Sequence, residues 1–334
     1  MSNLIIDLFL GGATVFVATL IFVNAAEYII NRYKLGPTLV GAVVSPIFTS
    51  FPELVVLVYA IFVYGEISGE SIGIGTVFGQ PFMTSSLSYG LIGISALFGY
   101  ILGKRKTLTL SVSRNLAVPY TTITLLYPLT LIPSIFPELK NLFGLLFILF
   151  FILYVITIYR MKEEKIIEVH GDLYFLRILP SKELEKMAIF AQILLSALLL
   201  YYGSSKLVKS VDILAKSIGV SSLGVALIVI PAATALPETL TALIWSFKGE
   251  DSLSIGSLVG EKVLYSTFYP GLALLLTSWI LDFHAYISVV ATIVVSLVFL
   301  YYILKEKIPV YALFLGFLFF ILYVAITFLH IFSC

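Results

Sequence analysis

Two eight-residue stretches place hydroxyls and a carboxylate where apolar side chains otherwise dominate: PIFTSFPE at 46–53 and PAATALPE at 231–238. Both read Pro-x-x-Thr-x-x-Pro-Glu, and the second follows the first at an offset of 185 (234 − 49). Thr49, Ser50 and Thr234 offer hydroxyl oxygens, and Glu53 and Glu238 offer negative charge. Proline lacks an N–H and clashes with the preceding turn, so each helix is expected to break or kink there. In lipid such a break is tolerated where the freed carbonyls face a protein-lined or wet cavity, and a cation that accepts them lowers its cost. Carbonyl, hydroxyl and carboxylate oxygens at close range suit a hard cation such as Ca²⁺, Mg²⁺ or Na⁺. Zinc chemistry is not indicated, because His170, His284 and His330 are scattered and Cys334 is the single cysteine.

A proline kink with Ser or Thr is commonplace in membrane helices. A glutamate in mid-span is not, since burying it costs several kcal/mol, and here one recurs at the equivalent place in each half. A second pair of motifs follows: GTVFG at 75–79 leads into Gln80 and Thr84, and GSLVG at 256–260 leads into Glu261, Lys262 and Tyr265. The Gly75/Gly79 and Gly256/Gly260 spacing lets helix backbones approach, so these glycines are read as packing residues. Glu261 and Lys262 fall near mid-membrane, where snorkelling rescues neither.

These residues need long apolar elements to carry them. The chain has 334 residues, 60% hydrophobic and 12% charged, with a mean hydropathy of +1.08. Soluble domains are nearer 25% charged, so the reading is an all-α integral membrane protein. Runs of about 20 apolar residues suffice to cross the bilayer. Ten are expected: 4–31, 37–64, 71–102, 108–133, 141–160, 187–208, 219–247, 253–280, 286–304 and 309–331. Fourteen Lys and Arg residues fall on one side, including Lys104, Arg105, Lys106 and Lys248, against Lys140, Lys206, Lys209 and Lys216 on the other; Arg114 and Lys262 lie within spans. The richer side is read as cytoplasmic, which puts both termini outside. The N-terminus lacks the basic region of a signal peptide, so the first run is expected to persist as a helix. A net charge of +1 and the lack of a basic cluster with interleaved aromatics give no sign of nucleic acid.

The only long polar connection, 161–186, divides the chain into halves of five spans, 1–160 and 187–334, and reads as a cytoplasmic linker or a surface-lying amphipathic helix. GPTLVG at 36–41 also matches GVSSLG at 219–224. The two Pro-Glu motifs lie on spans two and seven. Five spans separate them, an odd number, so the halves are expected to be inverted-topology repeats sharing a midplane site.

Together these residues resemble the calcium/cation antiporter superfamily, the sodium/calcium exchangers and their prokaryotic relatives. PIFTSFPEL and GVSSLGVALIVIPAATALPET look like the first motif of each family repeat, and GTVFGQPFMT and GSLVGEKVLY look like the second. The resemblance implies cation ligation by Thr49, Glu53, Thr234 and Glu238, with Ser50 matching a motif serine whose counterpart here is Ala235. It also implies that the carbonyls of Pro46 and Pro231 match a sodium-ligating position. The second motifs depart: the family's Ser becomes Gln80 and Glu261, its next Asn becomes Pro81 and Lys262, and its final Asn or Asp becomes Thr84 and Tyr265. Glu53, Glu238 and Glu261 then supply three negative groups. Lys262 compensates one, either as a tethered substitute for a monovalent ion, paired with a carboxylate on another helix, or as a structural salt bridge outside the site.

The expected protein is a secondary antiporter of a prokaryotic plasma membrane that exchanges a divalent cation, foremost Ca²⁺, for Na⁺ or H⁺ by alternating access. It would need no cofactor and no direct use of ATP, since no nucleotide-binding loop is present. Its partners would be inorganic cations and the lipid bilayer. The rivals are an exchanger-fold transporter with altered coupling or another cation, and an intramembrane enzyme using the glutamates as acid and base.

Overall fold

In lipid only a helix or a closed barrel pairs every backbone N–H and C=O, and this chain is helical nearly throughout. The computed structural model describes residues 2–33, 45–65, 67–160, 173–178 and 184–328. The first half contains α1 (Ser2–Tyr33), α2 (Ser45–Thr49), α3 (Phe51–Val58, continued by the π-helical Tyr59–Tyr64) and α4 (Ile67–Met83). After the π-helical Thr84–Ser88 come α5 (Tyr89–Ile101), α6 (Ala117–Leu126), α7 (Ile132–Ile135) and α8 (Lys140–Arg160). The remainder contains α9 (Tyr174–Ile178), α10 (Glu185–Ile218), α11 (Ser222–Thr234), α12 (Leu236–Lys248), α13 (Asp251–Leu264), α14 (Phe268–Leu276), α15 (Phe283–Leu304) and α16 (Val310–Phe328). GPTLVG at 36–41, Glu66, most of the 161–186 connection, His170, His330 and Cys334 lie outside the described residues.

Among the described residues seven helical stretches are long and apolar enough to cross a membrane, and α11 with α12, bent by 63°, supply an eighth. The expected spans 37–64 and 253–280 do not form single long helices. One is interrupted at Ser50 and the other at 265–267, so each is assembled from pieces. The shortfall from ten continuous spans thus falls on segments that carry the motifs.

Two boundaries differ from expectation for electrostatic and local reasons. The sixth span, expected to stop at 208, continues to Ile218 because its charges find partners within the fold. Lys206 Nζ meets Asp7 Oδ1 at 2.7 Å, and Lys216 Nζ meets Asp212 Oδ2 one turn earlier at 2.6 Å. Arg114, expected inside a span, instead opens a 3₁₀ turn that precedes α6. A short antiparallel ribbon, β1 (Thr109–Ser111) with β2 (Lys307–Pro309), ties two loops together, with Leu110 opposite Ile308. It is the one departure from an all-α chain among the described residues.

The stretch Ile67–Ile101 is the most enclosed of the seven, with 67% of its apolar window buried against 22–44% for the others. It therefore runs through the middle of the molecule. Its crossing with α11 is set by glycine. A Cβ on Gly75 would lie 2.6 Å from Leu223 O, and one on Gly79 2.6 Å from both Leu227 O and Pro231 Cγ. Pro231 has no N–H to offer Leu227 O, its usual partner one turn back, and the bare Gly79 backbone packs against that carbonyl instead. In the second motif Gly256 is looser: a Cβ there would meet only Leu116 Cδ2 at 3.6 Å.

Candidate functional site

The two Pro-Glu motifs break their helices in the same way. α2 ends and α3 begins around Ser50, at φ −86°, ψ 2°. α11 ends and α12 begins around Ala235, at φ −87°, ψ −1°. Both residues still close a bond to the first proline of their motif, Ser50 N to Pro46 O at 3.0 Å and Ala235 N to Pro231 O at 2.8 Å. The helix then resumes at once, and Glu53 and Glu238 occupy its first turn. Unpaired N–H groups and the helix dipole there favour a carboxylate.

The Pro46 and Pro231 carbonyls are therefore not wholly free at the breaks. Each accepts a backbone N–H, Pro46 O also faces Thr49 Oγ1 at 3.4 Å, and each keeps at most its remaining lone-pair capacity for another partner. The break lies one turn after the first proline, where the backbone leaves helical ψ, rather than at the proline.

The halves are cross-linked through these breaks. Thr49 of α2 donates to Glu261 Oε1 on α13, and Gln80 Nε2 on α4 donates to Glu261 Oε2 at 2.8 Å. In the other direction, Thr234 at the end of α11 lies beside the Glu53 carboxylate, while its hydroxyl donates to Ile230 O at 3.1 Å. Ser50 faces Tyr269 on α14: Tyr269 Oη donates to Ser50 O at 2.9 Å and lies 3.0 Å from Ser50 Oγ. Tyr265 stacks on Tyr269 with ring centroids 4.3 Å apart and 17° between planes.

Glu53 and Glu261 lie close enough for their charges to act on one another, and Glu238 is within range of both. The Tyr265 hydroxyl lies within range of all three. Glu53, Gln80, Thr84, Thr234, Glu261 and Tyr265 are buried. Among the described residues, five of the ten buried side-chain polar atoms without a hydrogen-bond partner belong to this group: Glu53 Oε2, Gln80 Oε1, both Glu238 carboxylate oxygens and Tyr265 Oη. Buried polar atoms are normally paired, so a concentration of orphan oxygens marks where a cationic partner fits. No trio of acidic, His or Cys side chains among the described residues is gathered tightly enough to enclose a metal alone. A cation here needs the neutral oxygens as well. Thr84 sits on the buried π-helical turn one turn after Gln80, and no described hydrogen bond joins it to the carboxylates.

Lys262 turns elsewhere. Adjacent helical residues point about 100° apart, and its ammonium leaves the glutamates for a separate enclosure. Nζ donates to Ser296 Oγ on α15 at 2.7 Å and sits 5.3 Å from the ring centroids of both Tyr89 and Tyr120. Those two hydroxyls are bonded to each other. No carboxylate among the described residues lies within ion-pair distance of Lys262, so the expected carboxylate partner is not found. Hydroxyl and ring faces take its place.

Sequence reasoning missed two neighbours. Tyr269 was hidden because tyrosine is ordinary in this chain. Glu27, near the end of α1 and close enough for its charge to act on Glu238, was signalled only as one of two acids, with Asp7, inside an apolar run.

A family model described as “Sodium/calcium exchanger protein” matches residues 4–160 and 188–332. The protein of Alkalimonas amylolytica named “Putative antiporter CaxA” is 29% identical over 110 residues, 31% of this chain and 34% of that protein. That match spans only about a third of the relative's length. Among solved structures, the H⁺/Ca²⁺ exchanger CAX superposes with a TM-score of 0.74 at 16% identity, covering 97% of this chain and 86% of that one. The sodium-calcium exchanger NCX_Mj gives 0.60 at 16% identity, covering 97% and 98%. At such identities the likeness is one of fold.

Proposed function

The chain belongs to the sodium/calcium exchanger protein family, and we propose that it exchanges a divalent cation, foremost Ca²⁺, for Na⁺ or H⁺ by alternating access. Its kin are membrane exchangers rather than enzymes. In this reading the chain forms ten membrane-crossing segments arranged as inverted halves, 1–160 and 187–334, in a prokaryotic plasma membrane with both termini outside. Glu53, Glu238 and Glu261 hold the cation, with Thr49, Ser50, Thr234, Gln80, Thr84, Tyr265 and the carbonyls of Pro46 and Pro231 as neutral oxygen donors.

The observation that carries this reading is the gathering of partnerless oxygens from Glu53, Glu238, Gln80 and Tyr265 around three mutually interacting carboxylates. Three like charges in a low-dielectric interior repel strongly, and a divalent ion or protons relieve that repulsion. Competition between the two for the same oxygens is the simplest source of exchange. Thr49 and Gln80 brace Glu261 from the opposite half, so a movement of either half alters the oxygens presented to the ion.

Isothermal titration of the purified protein with Ca²⁺, Mg²⁺, Mn²⁺ and Na⁺ at two pH values tests the assignment. Saturable Ca²⁺ binding that weakens with added Na⁺ or at lower pH is expected. Ca²⁺ binding indifferent to both would contradict exchange at a shared site.

A further inference from the structure

A second charged cavity lies at the end of the molecule read as cytoplasmic, away from the glutamates. It has a volume of about 320 Å³ and is lined by Lys104, Arg105, Lys106, Lys248 and Asp251, among others. That volume lies within the range of small-ligand pockets. It forms where the loop after α5 meets the tight turn between α12 and α13.

Arg105 organises this cavity and is fully committed. Its Nη1 donates to Ser246 O at 2.9 Å and contacts Asp251 Oδ1 at 3.2 Å, while Nε donates to Thr107 O at 2.8 Å. Asp251 Oδ2 also accepts from Ser111 N at 2.9 Å. The carboxylate is thus neutralised by the one cation built into the wall. Lys104, Lys106 and Lys248 are different: all three are exposed, and none of their ammonium groups makes a hydrogen bond or ion pair with a described residue. The β-ribbon brings a further lysine close, because Lys307 pairs opposite Ser111, itself a lining residue. The opposing free charge is Glu250, beside Asp251 in the turn.

We propose that this cavity binds the phosphate of an anionic phospholipid headgroup. Three ammonium groups without partners around one recess form an oxyanion site, and phosphate is the oxyanion that lysine point charges commonly serve. The position selects the lipid as its source. Just before Lys104 in the chain, Phe98 and Ile101 on α5 and Leu102 at its end are 57%, 73% and 62% exposed, an apolar surface suited to acyl chains. A basic recess at the end of such a surface faces the headgroup layer. Lys104 and Lys106 belong to the first half and Lys248 to the second, so one headgroup bridges α5 and the α12–α13 turn. Those helices lead back to the glutamates, with Glu238 and Glu261 each ten residues from the turn's edge (248 − 238 and 261 − 251).

The test uses full-length protein in a neutral detergent, titrated with phosphatidylglycerol, phosphatidylcholine or inorganic phosphate. Retained lipid is read by native mass spectrometry. The wild type is expected to retain phosphatidylglycerol in preference to phosphatidylcholine. K104Q/K106Q/K248Q should weaken phosphatidylglycerol binding on the order of a hundredfold, from about tenfold or less per lysine. K104R/K106R/K248R should restore it, and Lys209→Gln, an exposed lysine read as lying on the opposite side, should leave it unchanged. All these positions are exposed, so folding is not at stake. Unchanged phosphatidylglycerol retention by the triple glutamine variant would overturn the site. Displacement of the lipid by inorganic phosphate at equal concentration would overturn the lipid as its ligand. Neither readout involves transport, so failure here is distinct from failure of the exchange reading.

Discussion

Gln80 Nε2 donates to Glu261 Oε2 across 2.8 Å, and its own Oε1 is left buried without a partner. One amide therefore holds an acid of the opposite half and presents a neutral oxygen beside it. Gln80→Met keeps the length and removes both functions. A hydrogen bond to a charged group contributes about 1.5–3 kcal/mol, so Ca²⁺ affinity measured by titration should fall by about tenfold or more. Unchanged affinity would place Gln80 outside the site.

The glycine motifs should respond unequally to alanine. At Gly79 the new Cβ would be forced to within 2.6 Å of Leu227 O and Pro231 Cγ. Overpacking of this kind costs about 1–3 kcal/mol, and the melting temperature of Gly79→Ala in detergent should drop. At Gly256 the nearest atom is 3.6 Å away. Gly256→Ala should be neutral or gain up to about 1 kcal/mol from helix propensity. Equal losses would contradict the asymmetric packing.

Lys262 should prove separable from the ion site. It shares no hydrogen-bond partner with Glu261: one reaches Ser296, Tyr89 and Tyr120, the other Thr49 and Gln80. No ion pair joins the two, and side chains outside one shared network act more nearly independently than those within it. Lys262→Met should thus leave Ca²⁺ affinity within about twofold, with the stoichiometry of ion-driven Ca²⁺ flux unchanged. A changed stoichiometry would return Lys262 to the role of a tethered ion.

Asp282 caps α15, accepting from His284 N at 3.0 Å and Ala285 N at 3.1 Å, and Ser221 bonds its other oxygen. Burial works against its charged form, but hydrogen bonds from His284, Ser221 and Ala285 outweigh it and hold the carboxyl below the ordinary aspartate value. A lowered folded value means the cap stabilises fully above the unfolded pKa of about 3.9 and is lost as pH falls through the folded value. At neutral pH, Asp282→Ala should cost about 1 kcal/mol, seen as a lower melting temperature. The deficit relative to wild type should shrink in acid. A constant deficit across that range would contradict a charged cap.

Much of this arrangement was legible because lipid penalises polar atoms so heavily. A Thr and a Glu repeated at the same spacing in an apolar chain have few uses besides a shared site, and the repeated backbone angles at Ser50 and Ala235 bear out a common local break. What sequence could not supply was direction around a helix in the presence of distant partners. Glu261 and Lys262 are neighbours in the chain, yet Thr49 and Gln80 draw one while Ser296 and two tyrosines receive the other. The length of α10 was likewise hidden, because Lys206 and Lys216 look like a terminus until Asp7 and Asp212 are brought beside them. Glu27 and Tyr269 carried no repeated pattern that would have separated them from scaffold.

The most direct test is ⁴⁵Ca²⁺ uptake into proteoliposomes under an imposed Na⁺ or H⁺ gradient, with wild type compared against Glu53→Gln and Glu238→Gln. Wild type should show uptake that depends on one of the two gradients. Each substitution should reduce it by about a hundredfold or more, as expected for loss of a charged partner worth several kcal/mol in a buried site. Gradient-driven uptake that survives both substitutions would contradict a cation held between the two halves by these carboxylates.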